Sequence, residues 1–200
     1  MTPAVRRAGD RGALIELPDS AAALRLTRAL AGRGDLVDVV PGHCTVLVTW
    51  AAERPHDLEA LAARALAAGP APEPARSVEI PVVYDGADLE EVARLVGVSP
   101  EEVVGRHVAA EYVVAFLGFA PGFAYLVGGD ERLEVPRLPR PRERVQAGSV
   151  AIAGPYSGIY PRESPGGWRL IGRTSLALFD PQRTAPALLA SGDHVRFTRL

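Results

Sequence analysis

Between Phe116 and Leu126 the chain reads Phe-Leu-Gly-Phe-Ala-Pro-Gly-Phe-Ala-Tyr-Leu, with glycine, proline and aromatic residues too dense for an ordinary strand. Glycines there let backbone approach a ligand closely. The same composition also suits a bulged strand and a packed turn. A second segment carries Arg137, Arg140, Arg142 and Arg144 among Pro136, Pro139 and Pro141, so its cations sit on a stiff, extended backbone. Guanidinium forks suit carboxylates and phosphates, although a charge run also serves as a solvated face. A third stretch runs Ala153-Gly154-Pro155-Tyr156-Ser157-Gly158-Ile159-Tyr160-Pro161, then Ser164-Pro165-Gly166-Gly167-Trp168 and Gly172-Arg173-Thr174. Paired glycines before an indole can present bare N–H groups as an anion nest or oxyanion hole. A tight turn with Trp168 in a barrel core is the plainer alternative. His43, His56, His107 and His194 are scattered, and only His107, just before the aromatic segment, stands out as an acid/base group.

What is missing narrows the chemistry. All 22 basic residues are Arg, and the sequence has no Lys and no Asn. The chain therefore carries no Schiff-base lysine, no phosphate-loop lysine and no covalent biotin. Cys44 is the single cysteine, which excludes an intrachain disulfide and a Cys-based zinc site, and no metal is expected. Dinucleotide, phosphate-loop, nucleophile-elbow and zinc-protease motifs are all absent. A net charge of -2 gives no basic field for nucleic acid. No stretch approaches the ~18 apolar residues of a membrane span, and the amino terminus lacks a signal-peptide core. A cytoplasmic protein is expected.

The elements that must hold these segments fall into two parts. Val5 to Leu17 reads as two short strands around a turn, and Ser20 can cap an Ala/Leu-rich helix. Leu36 to Val40 and Cys44 to Trp50 read as a hairpin, and Pro55 opens a second helix with an apolar stripe. The run Gly69-Pro70-Ala71-Pro72-Glu73-Pro74 breaks the pattern before a strand at Ser77 to Val83. With that strand the first part reads β-α-β-β-α-β, a ferredoxin-like α/β sandwich. Two helices follow, separated by Gly97 and by the cap Ser99-Pro100-Glu101-Glu102. Short strands are then expected at Tyr112–Leu117, Ser149–Ala153, Trp168–Gly172, Ser175–Phe179 and His194–Thr198, as in a closed or nearly closed β-barrel. The expected class is α+β, with domains over residues 1–80 and 81–200.

The strings Gly118 to Leu126, Ala147 to Gly154, Gly158 to Pro161, Ser164 to Trp168 and Ile171 to Thr174, in this order, closely resemble the allophanate hydrolase subunit 1 family, also called the KipI family. Val39-Val40-Pro41, Ile80-Pro81-Val82 with Tyr84-Asp85, and Gly192-Asp193 before Val195-Arg196-Phe197 extend the resemblance over nearly the whole chain. Gln146 and Ala124 depart from it, each standing where the family commonly has Pro.

The resemblance implies an α+β amino-terminal domain and a cyclophilin-like β-barrel domain. It implies a non-autonomous component of a complex, most like the B subunit of 5-oxoprolinase, which works with the A and C subunits, the latter a protein like allophanate hydrolase subunit 2. Such a complex cleaves a small-molecule substrate, 5-oxo-L-proline, to L-glutamate, with ATP as co-substrate that this chain alone does not hold. A urea carboxylase-type role, with biotin arriving on another polypeptide, and inhibition of a sensor histidine kinase remain open alternatives. Within this frame His107, Arg142 and Arg173 are the catalytic candidates. Gly118, Phe119, Pro121, Gly122, Phe123 and Tyr125, with Arg140, Ser149 and Tyr160, are expected to bind substrate. Ser164, Gly166, Gly167, Trp168 and Thr174 complete that expected wall.

Overall fold

The computed structural model describes residues 3–67 and 76–200, so the proline-rich break at 69–74 lies outside the described residues. Two compact units divide the chain, Met1–Glu73 and Pro74–Leu200. In the first, β1 (Ala4–Arg7), β2 (Gly12–Glu16), α1 (Ser20–Leu30), β3 (Asp38–Pro41), β4 (Thr45–Thr49) and α2 (Leu58–Ala67) form an antiparallel sheet of order β1-β2-β4-β3 with two helices. Alternation puts Ala13, Ile15, Val46 and Val48 into one core with Leu26, Leu30, Leu58 and Leu61 of the helices. Asp19, not Ser20, caps α1, its carboxylate accepting the Ala22 N–H at 2.7 Å. α2 starts at Leu58, after Pro55 rather than on it.

The α+β class is as expected, with one strand in a different place. Ser77–Val82 (β5) is not the sixth element of the first sandwich; it pairs in parallel with the last strand of the chain, in the second unit. Ile80 and Val82 bury into that unit's core, and Pro81, which lacks an N–H, sits on the strand that ends the sheet. In the first unit β1 occupies the sheet position that the closing strand of a ferredoxin-like sandwich would take.

The second unit continues with α3 (Leu89–Val96), α4 (Pro100–Ala109), β6 (Tyr112–Leu117), β7 (Ala124–Val127), β8 (Arg142–Val145), β9 (Ser149–Ala153), β10 (Tyr156–Ile159), β11 (Ser164–Gly166), β12 (Arg169–Arg173) and β13 (His194–Arg199). Its seven-stranded sheet runs β12-β9-β10-β7-β6-β13-β5. Val83 and Arg173 exchange backbone hydrogen bonds of 2.9 Å in both directions, which ties the two end strands together and nearly closes a barrel. Closure satisfies edge groups that otherwise stay unpaired. Ser175–Phe179, expected as a strand, forms none, and its pairing is an isolated antiparallel bridge from Phe179 to Ala187: Thr174 Oγ1 accepts the Leu176 N–H at 3.3 Å and turns the chain, and Leu178 plugs the core from a loop. β8 and β11 form a separate two-stranded ribbon.

Just beyond the Val83–Arg173 closure, Gly86 donates to the Ile171 carbonyl at 3.2 Å. A methyl group on Gly86 would fall inside contact distance of the Ile171 and Leu170 backbone, which belongs to a strand and cannot swing aside. Gly86→Ala is therefore expected to destabilise the protein by about 3 kcal/mol, read as a lowered denaturation midpoint. A loss within about 0.5 kcal/mol, the ordinary range for a surface change, would show that the contact relaxes freely.

Candidate functional site

The β6–β7 connection is built from the glycine-aromatic segment. Gly118 N–H donates to Phe123 O at 3.1 Å and Phe123 N–H to Ala120 O at 3.0 Å, pulling the loop into a tight double turn. Phe119 adopts φ 67, the left-handed region that a bulky residue rarely enters. Phe119 is 62% exposed, its ring edge-on to Phe123 at 5.5 Å and to Tyr160 at 6.4 Å. Backbone strain of this kind survives only where surrounding structure enforces it, and it concentrates at functional sites. Gly122 supplies part of that enforcement: with φ +81, any Cβ there would lie 2.7 Å from the Phe179 Cβ.

Facing this loop, the Ser164–Trp168 segment turns off β11. Trp168 is buried and packs edge-on against Phe123 at 5.3 Å and Tyr125 at 5.6 Å. At Gly166 a Cβ would collide with the Tyr160 hydroxyl, so glycine is required for the approach. Between the two segments lies a cleft with a volume of about 70 Å³, lined by Phe119, Phe123, Tyr125, Arg137, Tyr160, Gly166, Gly167 and Trp168. Burial raises the Tyr160 pKa, opposed by a backbone hydrogen bond at Trp168 and the Arg137 and Arg142 charges. Tyr160 is thus a neutral phenol at ordinary pH.

Seven of the expected substrate-binding residues meet in this cleft: Phe119, Phe123, Tyr125, Tyr160, Gly166, Gly167 and Trp168. Gly118, Pro121 and Gly122 shape its loop. Ser149 and Thr174 stand behind it in a backbone interlock, in which Tyr160 N–H donates to Ser149 O at 3.0 Å and Thr174 N–H to Gly148 O at 2.8 Å. Arg140 is exposed and outside the lining. Arg173 is engaged in an exposed ion pair with Asp85 at 2.8 Å.

Arg142 is held differently. Its Nη2 donates to the buried Asp88 carboxylate at 2.7 Å, and the other Asp88 oxygen accepts the Leu170 N–H at 2.7 Å. Arg142 Nη1 and Ser164 Oγ are buried without a hydrogen-bond partner, and the two residues lie on the paired strands β8 and β11. Two participants escape a reading of the sequence. Asp88 carries no signal there, and Arg137 stands as one member of the arginine strip with nothing to single it out.

His107 is fully buried and outside the cleft, with Nδ1 2.8 Å from the Tyr84 hydroxyl and Nε2 2.9 Å from Ser157 Oγ. Phe197 and Tyr112 pack against its ring at 4.4 and 5.3 Å. Desolvation lowers its pKa from 6.5 to about 3, so the ring is neutral. Because the folded value lies below the unfolded one, the unfolded chain protonates first as pH falls. The His107 contribution is intact above about pH 6.5 and is lost progressively down to about pH 3. Thermal melts of His107→Leu are expected to show a shallower decline over that window, from a lower starting stability because two hydroxyls lose their partner. Parallel pH curves for variant and parent would contradict this.

Comparison with known proteins agrees with the motifs. The family described as carboxyltransferase domain, subdomain C and D, matches residues 3–189. The B subunit of the Escherichia coli 5-oxoprolinase is 47% identical over 179 residues, covering 86% of this chain and 82% of that protein. The corresponding Bacillus subtilis 5-oxoprolinase B subunit is 55% identical over 128 residues, 62% of this chain and 53% of that protein. The crystal structure of TTHA0988 superposes with a TM-score of 0.79 at 42% identity, over 95% of this chain and 40% of that one. The chain thus spans about half of the Bacillus subtilis relative's length and less of TTHA0988. It belongs to the carboxyltransferase domain, subdomain C and D, family, alongside the 5-oxoprolinase B subunits.

Proposed function

We propose that this chain is the B subunit of an ATP-dependent 5-oxoprolinase, cleaving 5-oxo-L-proline to L-glutamate together with the A and C subunits. The observation that carries the reading is 47% identity to an Escherichia coli 5-oxoprolinase B subunit over 86% of the chain. The cleft's chemistry supports it. Its lining offers aromatic faces, backbone, one phenol, one further tyrosine hydroxyl and one guanidinium, and no thiol, imidazole or carboxylate. Those groups bind and polarise, but do not by themselves supply a strong nucleophile. At about 70 Å³ the cleft is far smaller than the ~300 Å³ or more of pockets that enclose a ligand. It therefore forms one wall of a site that partner subunits complete.

An unstrained lactam is a poor electrophile, and transfer of a phosphoryl group from ATP to its oxygen activates the ring carbonyl toward water. ATP enters as co-substrate of the complex. Arg142, with one amino group anchored and one unpartnered, is the group we assign to the negative charge that develops at the activated oxygen. The test is co-production with the candidate A and C subunits and assay of glutamate release from 5-oxoproline, with each component and ATP omitted in turn. Release that requires this chain and ATP supports the reading. Full release without this chain, or none from the complete set, overturns it.

A further inference from the structure

We propose that Arg137 is the carboxylate receptor of the cleft, and that the cleft takes a small planar ring bearing a carboxylate, with the ring against the Trp168 and Phe119 aromatics. This deepens the 5-oxoprolinase reading and rests on it for the identity of the ligand.

Arg137 is fixed from both sides. The next residue, Leu138, donates its N–H to Gly167 O at 2.7 Å, and the preceding Pro136 carbonyl accepts from Arg169 Nε at 3.2 Å. Pro136 and Pro139 restrict the backbone further. So tied, the guanidinium lies over the Trp168 ring, 5.8 Å from its centroid, the distance of a cation–π contact. Its neighbours are engaged: Arg142 binds Asp88 at 2.7 Å, Arg169 binds Glu91 at 3.2 Å and Arg173 binds Asp85 at 2.8 Å. Arg137 makes no ion pair among the described residues, and alone of these cations it lines the cleft.

A planar guanidinium fork with its donors unused matches a carboxylate in two parallel hydrogen bonds. A phosphate chain generally calls for several cations or a nest of amides as well. Beside the fork, the buried Trp168 and Phe123 rings and the exposed Phe119 ring give a planar ligand apolar faces and edges. The part of the site that this chain supplies has room for a ring of about the size of a five-membered lactam, and the partner subunits of the proposed complex would complete the enclosure.

The experiment compares two substrates in the assembled complex: 5-oxoproline, and 5-oxoprolinamide, in which an amide replaces the carboxylate. Arg137→Gln is expected to raise the KM for 5-oxoproline about 10–100-fold, the loss of a charge-assisted hydrogen-bond pair, with kcat changed little. The KM for 5-oxoprolinamide, which offers the fork no carboxylate, should change far less in the same variant, and Arg137→Lys recovers part of the 5-oxoproline KM. An unchanged KM for 5-oxoproline, or an equal loss with both compounds, overturns the assignment.

A second arm stands apart from turnover, so that failure of the function can be told from failure of this site. The chain has two tryptophans, Trp50 and Trp168, and Trp50→Phe leaves Trp168 as the sole indole reporter. Titrated at millimolar concentrations, 5-oxoproline should perturb Trp168 fluorescence in the Arg137 form at lower concentration than the amide does, and the Arg137→Gln form should lose that preference. A response to inorganic phosphate alone, or none that depends on Arg137, overturns the proposal whatever the complex hydrolyses.

Discussion

An Asp88→Ala chain is expected to lose about 3–5 kcal/mol of folding stability, the usual cost of removing one member of a buried ion pair. Asp88 is 6% exposed, and its carboxylate ties three elements: α3 begins at its position, its Oδ1 accepts from Arg142 of β8, and its Oδ2 accepts the Leu170 N–H of β12. The carboxylate is committed to those two partners and makes no capping bond to α3. Truncation strands the Leu170 N–H and leaves the Arg142 charge without its counter-ion, while the Asp88 N–H keeps its 2.9 Å bond to Leu170 O. Two controls separate charge from packing. Asp88→Asn keeps an acceptor for Leu170 and should fall between parent and Ala. In Asp88→Ala combined with Arg142→Met, no uncompensated charge remains, and much of the loss should be recovered. Chemical denaturation measures all four chains; a loss under about 1 kcal/mol for Asp88→Ala, the range of an exposed pair, would show that water screens Arg142 as effectively as the carboxylate does.

That clamp is invisible in the sequence, and the reason is general. Arg142 and Asp88 are 54 residues apart, and Arg173 and Asp85 are 88 apart, so no local spacing shows which cation is committed to structure. Local signals carry further. Gly97 ends α3 at φ 74, and Ser99 Oγ accepts the Glu102 N–H at 3.2 Å, as that punctuation requires. The aromatic loop and the Ser164–Trp168 turn are legible because glycine is needed where backbone and ring crowd together, as at Gly122 and Gly166. β5 is legible as a strand but not by destination, since its partner β13 lies at the other end of the chain. Apolar alternation fixes which face is buried, not which sheet receives it. His107 shows the converse: proximity in sequence to the cleft loop suggests chemistry, whereas the structure buries its neutral ring among Tyr84, Tyr112 and Phe197, hydrogen-bonded and outside that lining.

On the function proposed above, Arg142→Ala is expected to lower kcat of the assembled complex about 10²–10³-fold, the range for loss of one preorganised donor at a developing anion. The two amino groups of Arg142 stand in different surroundings. Nη2 is anchored by Asp88, which fixes the plane of the guanidinium, while Nη1 is buried and unpartnered. Buried donors left unpaired are rare in native structures, and here a second, Ser164 Oγ, lies on the strand paired with β8. Register sets Arg142 opposite Gly166, one of the residues lining the cleft, so the pair borders the Trp168 wall. In the role proposed above, Arg142 would act on charge that appears during reaction, so kcat would carry its effect, in contrast to the KM effect expected at Arg137. Because the alanine also leaves Asp88 unpaired, assays belong well below the variant's unfolding transition, with complex assembly checked by size exclusion. Arg142→Lys keeps the charge but not the fork, and should regain only part of the rate. An Arg142→Ala complex that assembles fully and turns over at the parent rate would reduce Arg142 to a structural partner of Asp88.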